Sequence, residues 1–327
     1  MIIIIYLFIK LKMNNNTGIV FDPVMTLHRS PYKTHPENPN RILAIYQELL
    51  NHNIVNDLVP IASREIQDDE LELVHDKKYL DDVKLFLNGS KYARKQFCSK
   101  YNSVYANEHT YKCARIAAGS TVELIRNIAN KTLNHGFAVV RPPGHHATEN
   151  QAMGFCIYNN IAIGAKKALQ YFDRVAIVDF DIHDGNGTCD IIQSKFNKNE
   201  IVFVSIHRYD NKKFFPGTGE KSDASNIFNF PQNEIGTDDK YIKIFTNNIV
   251  PLLEEYDPQI ILVSAGFDAA EGDLLGGYKI TPNGYYQITK ILKELNKPMA
   301  FILEGGYNLE AVSKSFRRCV EAILGRE

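Results

Sequence analysis

The stretch RVAIVDFDIHDGNG (174–187) decides the reading of the whole chain. Its first half, VAIV, is a run of β-branched and small apolar residues, the pattern of a strand covered on both faces. The apolar run then gives way to Asp179, Asp181 and His183, spaced i, i+2 and i+4. In extended backbone, side chains two apart point to one face. Two carboxylates and an imidazole therefore converge on one side of a strand end. Partly buried like charges repel and lose hydration, so something positive is expected beside them.

Outward from this segment, the same grammar repeats. Apolar runs GIVF (18–21), FAVV (137–140), IVFVSIH (201–207), IILVSAG (260–266) and MAFILE (299–304) alternate with amphipathic stretches at 111–130, 241–256 and 284–296. Strand alternating with helix predicts an α/β fold: a single domain with a central, mainly parallel sheet flanked by helices. Five of the runs lead directly into polar or glycine-rich loops: RPPGHHA, DIHDGNG, KKFFPGTG, FDAAEGD and GGYN. In open parallel sheets, ligand sites form at that carboxyl edge.

Composition narrows the classes. The 327 residues are 44% hydrophobic and 23% charged, with 37 Lys and Arg against 38 Asp and Glu. With no basic stripe, a nucleic-acid grip driven by counterion release is not expected. Cys98, Cys113, Cys156, Cys189 and Cys319 are odd in number and widely spaced, without a C-x-x-C pair. This argues against a disulfide framework and for a reducing compartment, cytoplasmic or nuclear rather than secreted. The N-terminal MIIIIYLFIKLKMNNN has an apolar run about half the ~20 residues of a membrane span, followed by Lys10 and Lys12 and no evident cleavage site. Residues 1–16 are read as a disordered tail or an upstream start, with Met13 an alternative start and no stable membrane association expected. Residues 17–327 are read as one domain.

Asp181 and His183 offer an oxygen and a nitrogen ligand from one strand end, and Asp268 follows another strand. Taken singly, each reads as a cap, a turn residue or a core histidine. Together, with no thiolate, they suit an open site for Zn²⁺ or a similar divalent ion. His145 and His146 follow a rigid Pro-Pro-Gly turn. Such a pair can supply a general base and later a general acid, given partners that fix each tautomer. Asp179 and Asn186 are the candidate partners, which gives Asp179 an orienting role rather than a ligand role. Tyr307, after two glycines, could donate to a developing oxyanion. Phe155 and Phe215 are candidate walls of an apolar entry.

Assembled in this order, TGIVFDPVMTLH (17–28), HPENPNRI (35–42), VVRPPGHHA (139–147), GFC (154–156), VDFDIHDGNGT (178–188), SIHRYD…FFPGTG (205–219), SAGFDAAEGD (264–273) and LEGGYN (303–308) make the chain resemble the zinc-dependent histone deacetylase family, closest to its class II branch. The resemblance implies an arginase/deacetylase-like fold and hydrolysis of the acetyl amide of N6-acetyl-lysine in a protein or peptide. It implies one Zn²⁺ held by Asp181, His183 and Asp268, His146 as general base and acid with His145 its electrostatic neighbour, and Tyr307 polarising the carbonyl. Phe155 and Phe215 would line the lysine channel, and the Gly154 carbonyl would accept the substrate N–H. A monovalent cation, usually potassium, is expected near Asp179, Asp181 and Ser205.

Three positions depart from the family pattern. Asp184 stands where a second histidine is usual, placing an extra carboxylate near the expected metal. Asn102 stands where many members carry an aspartate that grips the substrate backbone. Leu275 occupies the place of the glutamate gatekeeper of polyamine-selecting relatives, which favours acyl-lysine. Acetylpolyamines or other acyl amines remain the alternative substrates, and Asp184 keeps open a low-activity acyl-lysine binding module. A binuclear-manganese ureohydrolase would need more bridging ligands than the chain supplies. The sequence leaves the oligomeric state open.

Overall fold

Eight strands form one sheet in the order β2-β1-β3-β8-β7-β4-β5-β6, and every pairing in it is parallel. The structure is a computed structural model describing residues 16–222 and 224–327, so the expected tail lies outside the described residues except for Asn16. The strands are β1 (Thr17–Phe21), β2 (Val59–Pro60), β3 (His135–Val139), β4 (Val175–Asp179), β5 (Ile201–Arg208), β6 (Ile227–Gln232), β7 (Ile260–Ala265) and β8 (Met299–Leu303).

The six apolar runs all become strands, and the central ones are buried along their whole length. Each fully buried Val or Ile contributes roughly 1.5–3 kcal/mol of apolar transfer, enough to override any weak local helix preference. The two remaining strands lie at the sheet edges. β2 is two residues long, and β6 (IFNFPQ) carries a proline, which an edge strand tolerates.

Helices cover the sheet. Thr110–Ala129 buries an Ala/Ile/Val face, and Asn159 and Asn308 cap the helices Asn160–Ala168 and Leu309–Leu324 by accepting from the N–H groups of Ala162 and of Glu310 and Ala311. The amphipathic stretch expected at 241–256 begins earlier, at Asp238, and contains a π turn at Phe245–Ile249. Pro251 follows that turn, and its missing N–H interrupts a regular ladder.

Strand order sets the location of the site. The chain leaves β3 and places β4 three positions away, with β8 and β7 filling the gap. The ends of β3, β8, β7 and β4 are thus adjacent. They deliver Arg141–His146, Glu304–Tyr307, Gly266–Asp268 and Asp179–His183 to one rim.

Candidate active site

Asp181, His183 and Asp268 converge at this rim, all buried, with one potential ligand atom from each lying within 4.8 Å of the others. His183 Nδ1 is 3.0 Å from both Asp181 Oδ1 and Asp268 Oδ2. One Nδ1 hydrogen cannot serve both oxygens. The hydrogen bond goes to Asp181, and buried Asp268 Oδ2 has no donor. Burial, then the Asp181 charge, pushes the Asp268 carboxyl up to about 7. The remaining oxygens are held by backbone: Gly305 N–H donates to Asp181 Oδ2 (2.8 Å) and Ile182 N–H to Asp268 Oδ1 (2.9 Å). A Cβ at Gly305 would lie 2.2 Å from Asp268 Oδ2 and one at Gly266 1.9 Å from Asp181 Oδ2. Glycine is required at both positions for this close approach. Two fixed carboxylates, one of them with an orphaned oxygen, and an imidazole fit a divalent cation by donor chemistry.

The histidine pair is differentiated by its partners. His145 Nδ1 lies 3.1 Å from Asp179 Oδ2, and Nε2 3.8 Å from Asp181 Oδ1. Burial opposes its protonation, but Asp181 and Asp179 outweigh burial and raise its pKa well above the ordinary value. His146 Nδ1 donates to Asn186 Oδ1 at 2.7 Å. Burial, then His145 and His183, hold His146 well below the usual range. It is therefore neutral, with its Nε2 lone pair free to accept a proton.

A cavity of about 360 Å³ opens over these groups. His146 and His183 line it with Tyr307 and the apolar walls Phe155, Phe214 and Phe215. Gly154 and Phe155 both adopt left-handed backbone (φ +52° and +70°), and a Cβ at Gly154 would lie 2.4 Å from His146 Cδ2. A bulky residue in that region is strained and persists only where surroundings enforce it. Here the Asn102 and Ser103 carbonyls accept from the Gly154 and Phe155 N–H groups at 3.1 and 2.8 Å. The Gly154 carbonyl accepts from Cys156 Sγ. Leu275 lines the cavity while 39% exposed, which puts it at the mouth. Burial, then Asp268, raises the Tyr307 hydroxyl well above its ordinary pKa and keeps it a donor.

The structure gathers the candidate ligands, the histidine pair with its partners, Tyr307, Gly154, Phe155, Phe215 and Leu275 at one rim, while Asp184 and Asn102 are engaged otherwise. The Asp184 carboxylate is engaged on another side: its Oδ2 accepts from Thr218 Oγ1 (2.6 Å), while buried Oδ1 has no donor and lies 3.9 Å from His207 Nδ1. Asn102 uses its side-chain oxygen to accept from Ser103 Oγ at 3.0 Å. Ser205 sits opposite Asp179 in the β4–β5 register, and its hydroxyl partners His207 Nδ1.

Several contributors had no sequence signal of their own. Phe214 lines the cavity and stacks on His183 at 5.0 Å. Asp273 accepts from the N–H groups of Tyr307 (2.6 Å) and Leu275 (2.9 Å), fixing both. Glu37 and Arg41 lie in the quoted HPENPNRI segment without an assigned role. Buried Glu37 binds Arg141, which begins the RPPGHHA loop, at 2.8 and 2.7 Å. Arg41 donates to the Gly306 and Glu304 carbonyls and lies 5.1 Å from the Tyr307 ring centroid.

This arrangement defines a class: a parallel α/β protein whose rim sets an Asp-His-Asp cluster that could hold a metal ion beside a neutral histidine in an aromatic-walled cavity. Residues 35–323 match the histone deacetylase domain, and the chain belongs to that family. It is 38% identical over 324 residues to histone deacetylase 15 of Arabidopsis thaliana, covering 95% of this chain and 57% of that protein. It is 34% identical to the polyamine deacetylase HDAC10 of Danio rerio, covering 96% and 48%. The crystal structure of the HDA15 HD domain superposes with a TM-score of 0.88 at 36% identity, covering 95% of this chain and 89% of that one. The chain spans about half the length of the curated relatives it matches.

Proposed function

We propose that residues 17–327 form a zinc-dependent deacetylase domain that hydrolyses the acetyl amide of N6-acetyl-lysine in proteins. The observation that carries this is the pairing of a neutral His146, held through Nδ1 by Asn186, with the Asp181-His183-Asp268 cluster in one aromatic-walled cavity. Asp181, His183 and Asp268 would hold the zinc ion. When bound, the ion supplies Lewis acidity for the acetyl carbonyl and lowers the pKa of water.

The chain's own residues account for the proton traffic. His146 Nε2 takes a proton from the attacking water, and its neutral state at ordinary pH suits that role. Charged His145 beside it, anchored by Asp179, favours negative charge developing at the reacting centre. The Tyr307 hydroxyl donates to the oxyanion as the carbonyl becomes tetrahedral. His146 then returns its proton to the leaving amine. Phe155 and Phe215 suit the uncharged acyl-lysine stem, and the Gly154 carbonyl suits its amide N–H. A potassium ion beside Asp179, Asp181 and Ser205 belongs to the same reading.

The likeness to a polyamine deacetylase supports a second reading, the same chemistry on acetylpolyamines. Apolar Leu275 at the mouth offers a cationic polyamine no counter-charge and supports acyl-lysine. The five free cysteines support a reducing compartment, and no described helix is long and apolar enough to cross a membrane.

The test is turnover of an acetyl-lysine peptide and N-acetylputrescine in parallel by zinc-loaded protein. Peptide turnover with kcat reduced about 10²–10³-fold in Tyr307→Phe is expected, the cost of one oxyanion donor. Preference for the polyamine overturns the substrate assignment. Equal rates for wild type and Tyr307→Phe overturn the assignment of Tyr307.

A further inference from the structure

Arg208, the last residue of β5, touches two separate walls of the cavity. Its Nη1 donates to the Gly276 carbonyl at 2.9 Å, in the loop that carries Leu275. Its Cζ lies 4.5 Å from the Phe214 ring centroid, a cation–π distance. Phe214 in turn stacks on His183, with the rings 15° from parallel. A Cβ at Gly277 would approach Arg208 Nη1 to 3.1 Å, so the small residue leaves room for the guanidinium.

The backbone between Arg208 and Phe214 needs an anchor. Asp210, Asn211 and Lys212 are consecutive non-glycine residues in the left-handed region, at φ +48°, +55° and +73°. Each such residue costs roughly 1–2 kcal/mol, so the turn persists only where side chains hold it. Arg208 does so through Nε and Nη2, which lie 2.7 and 2.6 Å from Asp210 Oδ2. Asn233 Oδ1 accepts from the Asn211 N–H at 2.9 Å. A single planar fork thus makes an ion pair to the strained turn, a hydrogen bond to the opposite loop and a stack on an aromatic wall. Lysine, a point charge, cannot reproduce all three.

We propose that Arg208 is a positioning residue for substrate fit, holding Phe214 and Leu275 at a fixed separation so that the channel matches an acyl-lysine stem. The proposal rests on the acyl-lysine reading above. Arg208 reaches no reacting atom, so its loss acts on binding more than on the chemical step.

The experiment measures kcat, KM and zinc content for Arg208→Ala and Arg208→Lys on an acetyl-lysine peptide, with peptide binding to the zinc-loaded proteins followed by calorimetry. Arg208→Ala is expected to raise KM and the calorimetric Kd about tenfold, a cost of the size of one lost charged contact. Its kcat stays within about threefold and its zinc content is unchanged, while Arg208→Lys recovers part of the loss. Should Arg208→Ala fail to fold, Asp210→Asn, which keeps the arginine and removes its ion pair, is expected to raise KM in the same direction. Unchanged KM and Kd in the soluble variants overturn the inference, as does a fall in kcat at constant KM. Wild type that binds the peptide in an Arg208-dependent way without turnover overturns the deacetylase reading alone. Wild type that neither binds nor turns it over overturns both.

Discussion

Two buried ionic clusters meet the same Glu304–Gly306 segment of this protein, and they are built on opposite principles. In the first, Glu37 meets Arg141 through two short contacts, Arg41 at 3.2 Å and the Tyr105 hydroxyl. Burial alone would raise its pKa, but the two guanidiniums hold it well below the ordinary carboxylate range. In the second, Asp181 and Asp268 crowd one imidazole, an oxygen lacks a donor, and the Asp268 carboxyl rises to about 7. A carboxylate with donors on both oxygens, like Glu37, is scaffold. One that leaves an oxygen without a donor, at the carboxyl edge of a parallel sheet, is a candidate cation site.

The scaffold cluster also serves the other. Arg141 leads into the turn that carries His145 and His146, and Arg41 grips the carbonyls on either side of Gly305, whose N–H binds Asp181. The difference can therefore be broken at either end.

The largest effect is expected at Glu37. Its replacement in Glu37→Ala leaves two buried guanidiniums short of a partner and should cost about 3–5 kcal/mol in chemical denaturation. A loss below about 1 kcal/mol would mean that this cluster is not scaffold.

Glu304 is expected to show the next largest effect. Its Oε2 accepts from the Gly144 and His145 N–H groups, while burial, opposed by His145, raises the carboxyl to about 7 from 4.5. The folded state therefore holds the proton more tightly than the unfolded chain does. The stabilisation is fully present below about pH 4.5 and is lost as pH rises through about 7. Stability of wild type relative to Glu304→Gln should fall by about 3 kcal/mol over that window. Denaturation series at several pH values check this, and parallel curves for the two proteins would contradict it.

The smallest shift separates the clusters most sharply. With a chelator present, Asp268→Asn should leave stability unchanged or raise it by about 1 kcal/mol, because one of two crowded carboxylates is neutralised. The readout is the thermal midpoint in metal-free buffer. A substantial drop would show that the carboxylate is balanced by the protein itself.

Much of this was legible in the sequence because strands buried on both faces announce themselves as apolar runs, and because period-two spacing forces Asp179, Asp181 and His183 onto one face. The edge strands were not legible: Val59–Pro60 is too short for periodicity, and Ile227–Gln232 carries a proline and two amides. Within the site, the partner of Asp184 was not legible from its place in sequence. A residue one step past His183 need not share its direction, and this carboxylate turns to Thr218. Phe214, Arg208 and Asp273 act through loops whose left-handed turns no local pattern foretells. Glu37 and Arg41 were visible only as members of a motif, since their partners lie about a hundred and more than two hundred and fifty residues away.

Metal content decides whether the Asp181-His183-Asp268 cluster holds zinc as proposed. Protein dialysed against zinc and then freed of unbound metal should retain one equivalent per chain in wild type and none in Asp268→Ala. Wild type that retains no zinc, or a variant that retains as much as wild type, would contradict that proposal.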